Sequence, residues 1–425
     1  MVDSITLRRL KDRINLPPRH DKIVRLEFTK PEQELYDIFA KNASDRVKAL
    51  TNSADNEKAL GGKSYVHILQ SILRLRLICA HGRDLLSEQD LKDMLGTSKD
   101  SAIDLEDEEN DPNALTPKKA YDMYNLLKET GQDKCSVCTT QIGRNTPDSE
   151  DEGKQDVLGH MSACFHLICG NCIKEHKKAT LAASYDGGNR ARCPLCHQDS
   201  STEFFPLKAS EAETIQERIA EVKDAKEEKT RPPYQGPHTK TRELVRELLN
   251  HDAESLMNPN EPPIKSVVFS GWTSHLDLIQ RALEDHHITF TRLDGKMSRV
   301  ARGQALDTFR EDPNIHVILV SISAGGLGLN LTTANKVYVM EPQYNPAAEA
   351  QAIDRVHRLG QNREVETVRF VMKDSFEEKM LVLQEKKRKL ASFTVDRDKD
   401  ARTLVGGSKA DATRKRLEDL RSLFK

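Results

Sequence analysis

Eight metal-competent side chains, confined to residues 135–196, constrain this chain more than any other feature. They read Cys135-x-x-Cys138, Cys164-x-His166, Cys169-x-x-Cys172 and Cys193-Pro-Leu-Cys196. A Cys-x-x-Cys turn lets two thiolates reach one metal, and four such pairs supply all eight soft or borderline ligands that two tetrahedral Zn²⁺ ions require. A disulfide cluster is the alternative. It fits poorly, because the rest of the chain reads as an intracellular protein that would keep its thiols reduced. The eighth cysteine, Cys79, lies in the apolar pattern LRLRLICAH and reads as a buried core residue.

The chain has 425 residues, enough for two to four domains with at least one sizeable core. Lysine plus arginine number 65 against 67 aspartate plus glutamate, for a formal charge of −2. Net charge therefore advertises no nucleic-acid partner, and any basic surface must be local. No apolar run approaches the roughly 18–20 residues of a membrane span, so no membrane partner is expected, and Met1-Val-Asp-Ser-Ile is no signal peptide. These features suggest the cytosol or nucleus.

Composition divides the chain into six segments. Residues 1–95 read as helical: Thr29-Lys-Pro-Glu starts one helix well, and a second is expected from Tyr65 to about Ala80. Residues 96–130 read as an acidic linker and connecting helix, 131–200 as the zinc module, and 201–236 as a charged helical linker. Residues 237–395 alternate strand and helix, and 396–425 form a tail with a helix near 410–423. In the alternating region the strand candidates are Ser266–Ser270, Ile288–Leu293, His316–Val320, Lys336–Met340 and Val365–Val371. Helices are expected near 240–250, 273–286, 298–310, 346–357 and 375–391. Apolar, β-branched strands alternating with helices predict an α/β fold, a parallel sheet covered on both faces.

Three segments of the α/β region carry chemistry: VVFSGWTSHLDLI, LDGKMSRVARG, and the long block LVSISAGGLGLNLTTANKVYVMEPQYNPAAEAQAIDRVHRLGQ over 319–361. SISAGGLG is a Gly-rich turn after a strand, where backbone N–H groups can approach a phosphate. In Gln351-Ala-Ile-Asp354-Arg355-Val-His-Arg358, two arginines three apart would share a helix face. Taken by itself such a pair reads as a solvated face, but near a phosphate-competent turn it can stabilise charge on a transferring phosphoryl group.

With LRRLKD at 7–12, LPPR at 16–19 and ILRLRLICAH at 72–81, these motifs resemble the Swi/Snf-type DNA translocases of helicase superfamily two, over residues 1–95 and about 237–395. The zinc-ligand order resembles a RING finger. A RING ahead of the second motor lobe is most similar to the postreplication-repair branch of that family. The resemblance implies a second RecA-like lobe, acting with ATP and Mg²⁺ once a first RecA-like lobe is supplied. It implies Arg355 and Arg358 as arginine fingers, Gln351 in the same motif, and a nucleotide site with Gly325, Gly326 and Asp354. Ser270, Thr273, Lys296, Ser321, Ser323 and Tyr344 would meet duplex DNA.

For the RING, the resemblance implies interleaved pairing: Cys135, Cys138, Cys169 and Cys172 on one zinc, and Cys164, His166, Cys193 and Cys196 on the other. Val137, Pro194 and His197 would dock a ubiquitin-conjugating enzyme. Ser323 replaces a residue often basic in the family, Tyr344 and His176 replace tryptophans, and His197 replaces an arginine that bridges to ubiquitin.

A superfamily-two motor also needs a Walker-type lysine and a Mg²⁺-binding acidic box. Gly62-Lys63-Ser64 ends like a Walker motif, but Glu57 stands where its first glycine belongs, and Asp151-Glu152-Gly153-Lys154 lies inside a zinc-module loop. The chain is therefore expected to begin after the first lobe and not to turn over ATP by itself. The expected function is the C-terminal part of an ATP-dependent DNA translocase with an embedded ubiquitin ligase, in the nucleus. A stand-alone RING ligase, or a non-enzymatic zinc scaffold using the lobe to dock DNA, is the alternative. KKRK at 386–389 reads as the basic face of a bracing helix rather than a nuclear address.

Overall fold

The computed structural model describes residues 16–51, 63–86, 115, 117–129, 133–142, 157–185, 189–196, 199–208, 236–295, 297–322, 324 and 329–395. The expected charged helical linker of 201–236 is corrected at its start, where Phe204–Lys208 is a strand; residues 209–235 and the helix near 410–423 lie outside the described residues. The chain forms two compact units. One gathers residues 1–36, 76–86 and 235–401; the other holds the zinc module.

The first unit is built on a six-stranded, wholly parallel sheet in the order β1-β12-β11-β8-β10-β9. Its strands are β1 (Arg19–Leu26), β8 (Ser266–Ser270), β9 (Phe290–Leu293), β10 (Val317–Ser321), β11 (Lys336–Val339) and β12 (Val365–Met372). Every residue of β8 and β10 is buried, which is why these segments are continuous runs of apolar residues bounded by serine rather than alternating ones. Successive side chains point to opposite faces. Val267, Phe269, Ile318 and Val320 join one core with Phe309 of α7 (Arg299–Glu311) and Ile353 of α8 (Pro346–Ile353). Val268, Leu319 and Tyr338 join the other with Leu244 of α5 (Thr239–Met257) and Ile279 of α6 (Thr273–Asp285). The parallel sheet covered on both faces is as expected.

Strand β1 corrects the helical reading of residues 1–95. Arg19–Leu26 lies in parallel register beside Val365–Met372. It is an edge strand, largely exposed and rich in charge, and such strands lack the apolar run that betrays a buried one. Helix α1 (Lys30–Thr51) follows, opened by half a capping box: the Thr29 N–H donates to Glu32 Oε2 at 2.8 Å. Helix α2 (Lys63–His81) carries Cys79, which is buried as expected, and burial pushes its thiol up, away from reactivity. Helix α9 (Phe376–Val395) holds KKRK, with Lys386 and Arg388 exposed.

Lys240, on α5, is almost wholly buried: its ammonium donates to Glu377 Oε1 at 2.6 Å and to the Met340 carbonyl at 2.7 Å. Removing one partner of a buried pair strands the other charge, so Lys240→Ala should cost about 3–5 kcal/mol in urea unfolding. Lys240→Met combined with Glu377→Leu should recover much of that loss.

In the second unit, β2 (Val157–Ser162) pairs antiparallel with β3 (Leu167–Ile168) and β7 (Phe204–Lys208), and β4 (Ser184–Tyr185), β5 (Arg190–Arg192) and β6 (Asp199–Ser201) form a second small sheet. Helix α3 (Pro117–Glu129) packs Tyr121, Met123, Tyr124 and Leu127 into one core with Met161, Leu167, Ile168 and Leu207. The Lys208 N–H donates to the Tyr121 hydroxyl at 2.9 Å. The connecting helix is thus part of the module's core. Helix α4 (Ile173–Ala182) follows the third cysteine pair.

Candidate metal centre and motor-lobe site

Turn geometry brings the eight ligands together. Cys135 to Cys138 is a tight turn, closed by Thr139 N–H to the Cys135 carbonyl at 2.8 Å, with Thr139 itself at φ 63°. The Cys169 N–H donates to Cys135 Sγ at 3.3 Å, and the Leu195 N–H to Cys193 Sγ at 3.4 Å, so backbone amides support the sulfur charge a metal needs. Ser162 Oγ lies 3.3 Å from Cys164 Sγ and accepts the His166 N–H.

Two sets result, Cys135-Cys138-Cys169-Cys172 and Cys164-His166-Cys193-Cys196, the ligand atoms of each within 4.8 Å of one another. This is the expected interleaved pairing, and no disulfide joins these cysteines. Tetrahedral Zn–S bonds of about 2.3 Å place sulfurs roughly 3.8 Å apart. Cys138 and Cys169 stand 3.6 Å apart, and His166 Nδ1 lies 3.0 Å from Cys164 Sγ and 3.7 Å from Cys193 Sγ. The thiols conflict with one another: burial, Cys169 and Cys138 push Cys172 up. At Cys138 burial also opposes ionisation, but hydrogen bonding from Thr140 outweighs it and draws the thiol down to about 6. A divalent cation removes that conflict, and the donor set fits Zn²⁺. Cys172→Ser should release the zinc of its set and unfold the module locally, read as the loss of one zinc per chain in metal analysis and lost near-ultraviolet dichroism. Retention of that zinc would count against the pairing.

Val137 and Pro194 occupy the two ligand turns and are half-buried, Val137 against the module's core. His197 lies outside the described residues. His176 is buried, its ring edge-on to Phe204 at 5.6 Å.

In the lobe, the arginine motif departs from the sequence expectation. Helix α8 starts where Asn345 caps it, accepting the Ala347 N–H, and ends at Ile353. Beyond it the Arg355 carbonyl accepts from the Leu331 N–H at 3.1 Å, and short-range turns replace the helical ladder through Gly360 at φ 101°. Arg355, half-buried, and Arg358, exposed, therefore sit on turns past the helix end, not on one helix face. Gln351 is exposed on α8, and Asp354, its C-cap, lies 3.7 Å from the Arg19 guanidinium on β1. His357 is buried and its Nε2 lies 2.8 Å from the Pro17 carbonyl, so the motif is braced by the start of the chain.

The strand-end serines also differ from expectation. Ser270 is fully buried and its hydroxyl donates to Glu341 Oε1 at 2.8 Å. Ser321 is buried and accepts the Ala324 N–H. The Ser270 hydroxyl is thus engaged within the protein, and Ser321 Oγ holds the turn that follows its strand. Thr273 and Tyr344 are half-buried. Lys296, Ser323, Gly325 and Gly326 lie outside the described residues.

Glu341 is the residue sequence reasoning missed. It is buried after β11, bonded to Ser270, the Gly271 N–H and His275. Burial raises its carboxyl, but His275 and Lys240 outweigh that and hold it below the usual range. Its signal was an acid directly following the apolar run KVYVM.

The pattern of the helicase conserved C-terminal domain matches residues 241–360, and that of the C3HC4-type RING finger residues 135–196. The DNA repair protein RAD5 of Candida albicans is 30% identical over an alignment covering 100% of this chain and 38% of that protein. RAD5 of Debaryomyces hansenii is 28% identical, with 100% and 36% covered, and the DNA repair protein rad8 of Schizosaccharomyces pombe 29%, with 100% and 35%. The C-terminal part of the Fun30 ATPase domain aligns at TM-score 0.46 and 18% identity, covering 96% of this chain and 99% of that one. The chain spans a little over a third of the length of these curated relatives.

Proposed function

We propose that this chain is a Swi/Snf-type protein with an embedded RING finger, and that it supplies the second motor lobe of a nuclear, ATP-dependent DNA translocase together with a ubiquitin ligase acting in DNA repair. The observation that carries this reading is the way the lobe is assembled. Its sheet takes β1 from before the RING and β8 to β12 from after it, so motor and zinc finger are parts of one protein.

In this reading the first lobe brings the nucleotide's Lys and Mg²⁺ ligands, and this chain brings Arg355 and Arg358 to the γ-phosphate. Positioned on braced turns, their guanidinium groups act on charge that develops only in the transition state. Asp354, with Gly325 and Gly326, completes the nucleotide site. Thr273, Lys296, Ser323 and Tyr344 meet the DNA. The RING presents Val137 and Pro194, on turns that zinc holds rigid, to a conjugating enzyme.

Two assays test the halves separately. Residues 1–425 should show no DNA-stimulated ATP hydrolysis, and should gain it when joined to a first RecA-like lobe. The same residues should build ubiquitin chains with some member of a panel of conjugating enzymes. ATP turnover by this chain unaided would overturn the lobe assignment, and failure of every conjugating enzyme would leave the zinc module a scaffold.

A further inference from the structure

Outside the RING, a third group of metal-competent side chains converges in the lobe unit: His81 at the end of α2, Asp84 in the following 3₁₀ turn (Gly82–Leu85), and His238 at the start of α5. Their ligand atoms lie within 4.8 Å of one another. Asp84 Oδ2 stands 3.4 Å from His238 Nε2 and 3.9 Å from His81 Nε2.

The outer nitrogens are held. His81 Nδ1 is 3.1 Å from Thr241 Oγ1, and His238 Nδ1 is 3.1 Å from Glu32 Oε1. Glu32 is itself anchored, accepting the Thr239 N–H at 3.0 Å, the Thr239 hydroxyl at 2.7 Å and the Thr29 N–H at 2.8 Å. A carboxylate on Nδ1 fixes the tautomer of His238 and turns its Nε2 lone pair inward, the outer-shell arrangement that metal-binding histidines use, and the Thr241 hydroxyl is placed to accept from His81 Nδ1 in the same way. The backbone makes room for the ring. Gly82 sits at φ +63°, and a Cβ there would stand 2.2 Å from His238 Cε1. His81 is fully buried, and burial, with His275 and His238 nearby, drives its imidazole down to about 2, so it stays neutral and able to ligate.

Without a cation the two carboxylates draw a proton onto His238. Burial opposes this, but Asp84 and Glu32 outweigh it and raise the ring to about 9. At 3.9 Å, His81 Nε2 and Asp84 Oδ2 are beyond hydrogen-bond reach of one another. One cation at about 2.0–2.2 Å from each ligand serves all three.

We propose that His81, His238 and Asp84 bind a third divalent transition-metal ion, with Glu32 and Thr241 orienting the two rings. Two imidazoles and a carboxylate suit Zn²⁺ or a similar borderline metal better than Mg²⁺ or Ca²⁺. The ion staples α2 and its turn to the start of α5, reinforcing the contact that His81 already makes with Thr241. Its binding free energy is therefore stability of the lobe.

Zinc itself is the probe. The purified chain, equilibrated with excess Zn²⁺ and dialysed against metal-free buffer, should retain about three zinc ions: two in the RING and one here. Asp84→Asn and His238→Gln should each retain about two. Zinc added to the two-zinc form should raise Tm in the wild type and not in Asp84→Asn. A wild-type chain that retains about two zinc ions and shows no Tm rise on zinc addition overturns the proposal. So does a third zinc that persists in both variants. Should either variant fail to fold, the zinc titration of the wild type decides by itself.

Discussion

Arg358→Ala, in a chain joined to a first motor lobe, should hydrolyse ATP about two orders of magnitude or more slower than its parent, since arginine fingers are worth roughly 10³–10⁵ in rate. Nucleotide and DNA affinities should change far less, because a guanidinium aimed at the transferring phosphoryl group stabilises the transition state more than the ground state. Arg355→Ala should behave alike in direction. The two differ in setting: Arg358 is exposed, whereas Arg355 is half-buried and its carbonyl anchors the Leu331 N–H. Arg355→Ala therefore needs a stability control, and Arg358→Ala is the cleaner experiment. Single-turnover hydrolysis at saturating ATP and DNA provides the measurement. A variant with near-parental turnover would show that other residues carry the transition-state charge.

The second large effect belongs to the RING. Val137→Glu should abolish ubiquitin-chain synthesis while the module keeps both zinc ions, since it places a charge in an apolar docking surface without touching a ligand. Val137 is half-buried against the module's core, so thermal unfolding must accompany the activity assay. Pro194→Ala, in the other ligand turn, is the milder companion and should weaken synthesis. His197→Arg should raise it: a histidine offers fewer donors than arginine's permanently charged fork. Unchanged activity of Val137→Glu across a panel of conjugating enzymes would mean that the module docks no such enzyme through this surface.

The zinc ligands and the lobe's buried strands were determined by the sequence because both are local in the chain. A Cys-x-x-Cys turn reaches one metal by its own geometry, and SVVFS or HVILV is apolar because sheet neighbours and helices cover both its faces. The helix start at Thr29-Lys-Pro-Glu was readable for the same reason. Only the tertiary structure decided the rest. Strand β1 pairs with a partner at the far end of the chain and, as a charged edge, carries no apolar signature. Helical spacing in QAIDRVHR put both arginines on one helix face, but the Leu331 N–H captures the Arg355 carbonyl and the helix stops at Ile353. The bond from Ser270 to Glu341, seventy-one residues later, likewise exists only in the folded chain. The clustering of His81, Asp84 and His238 has no spacing rule at all: these residues meet because α2 and α5 do, and sequence distance carries no trace of that meeting.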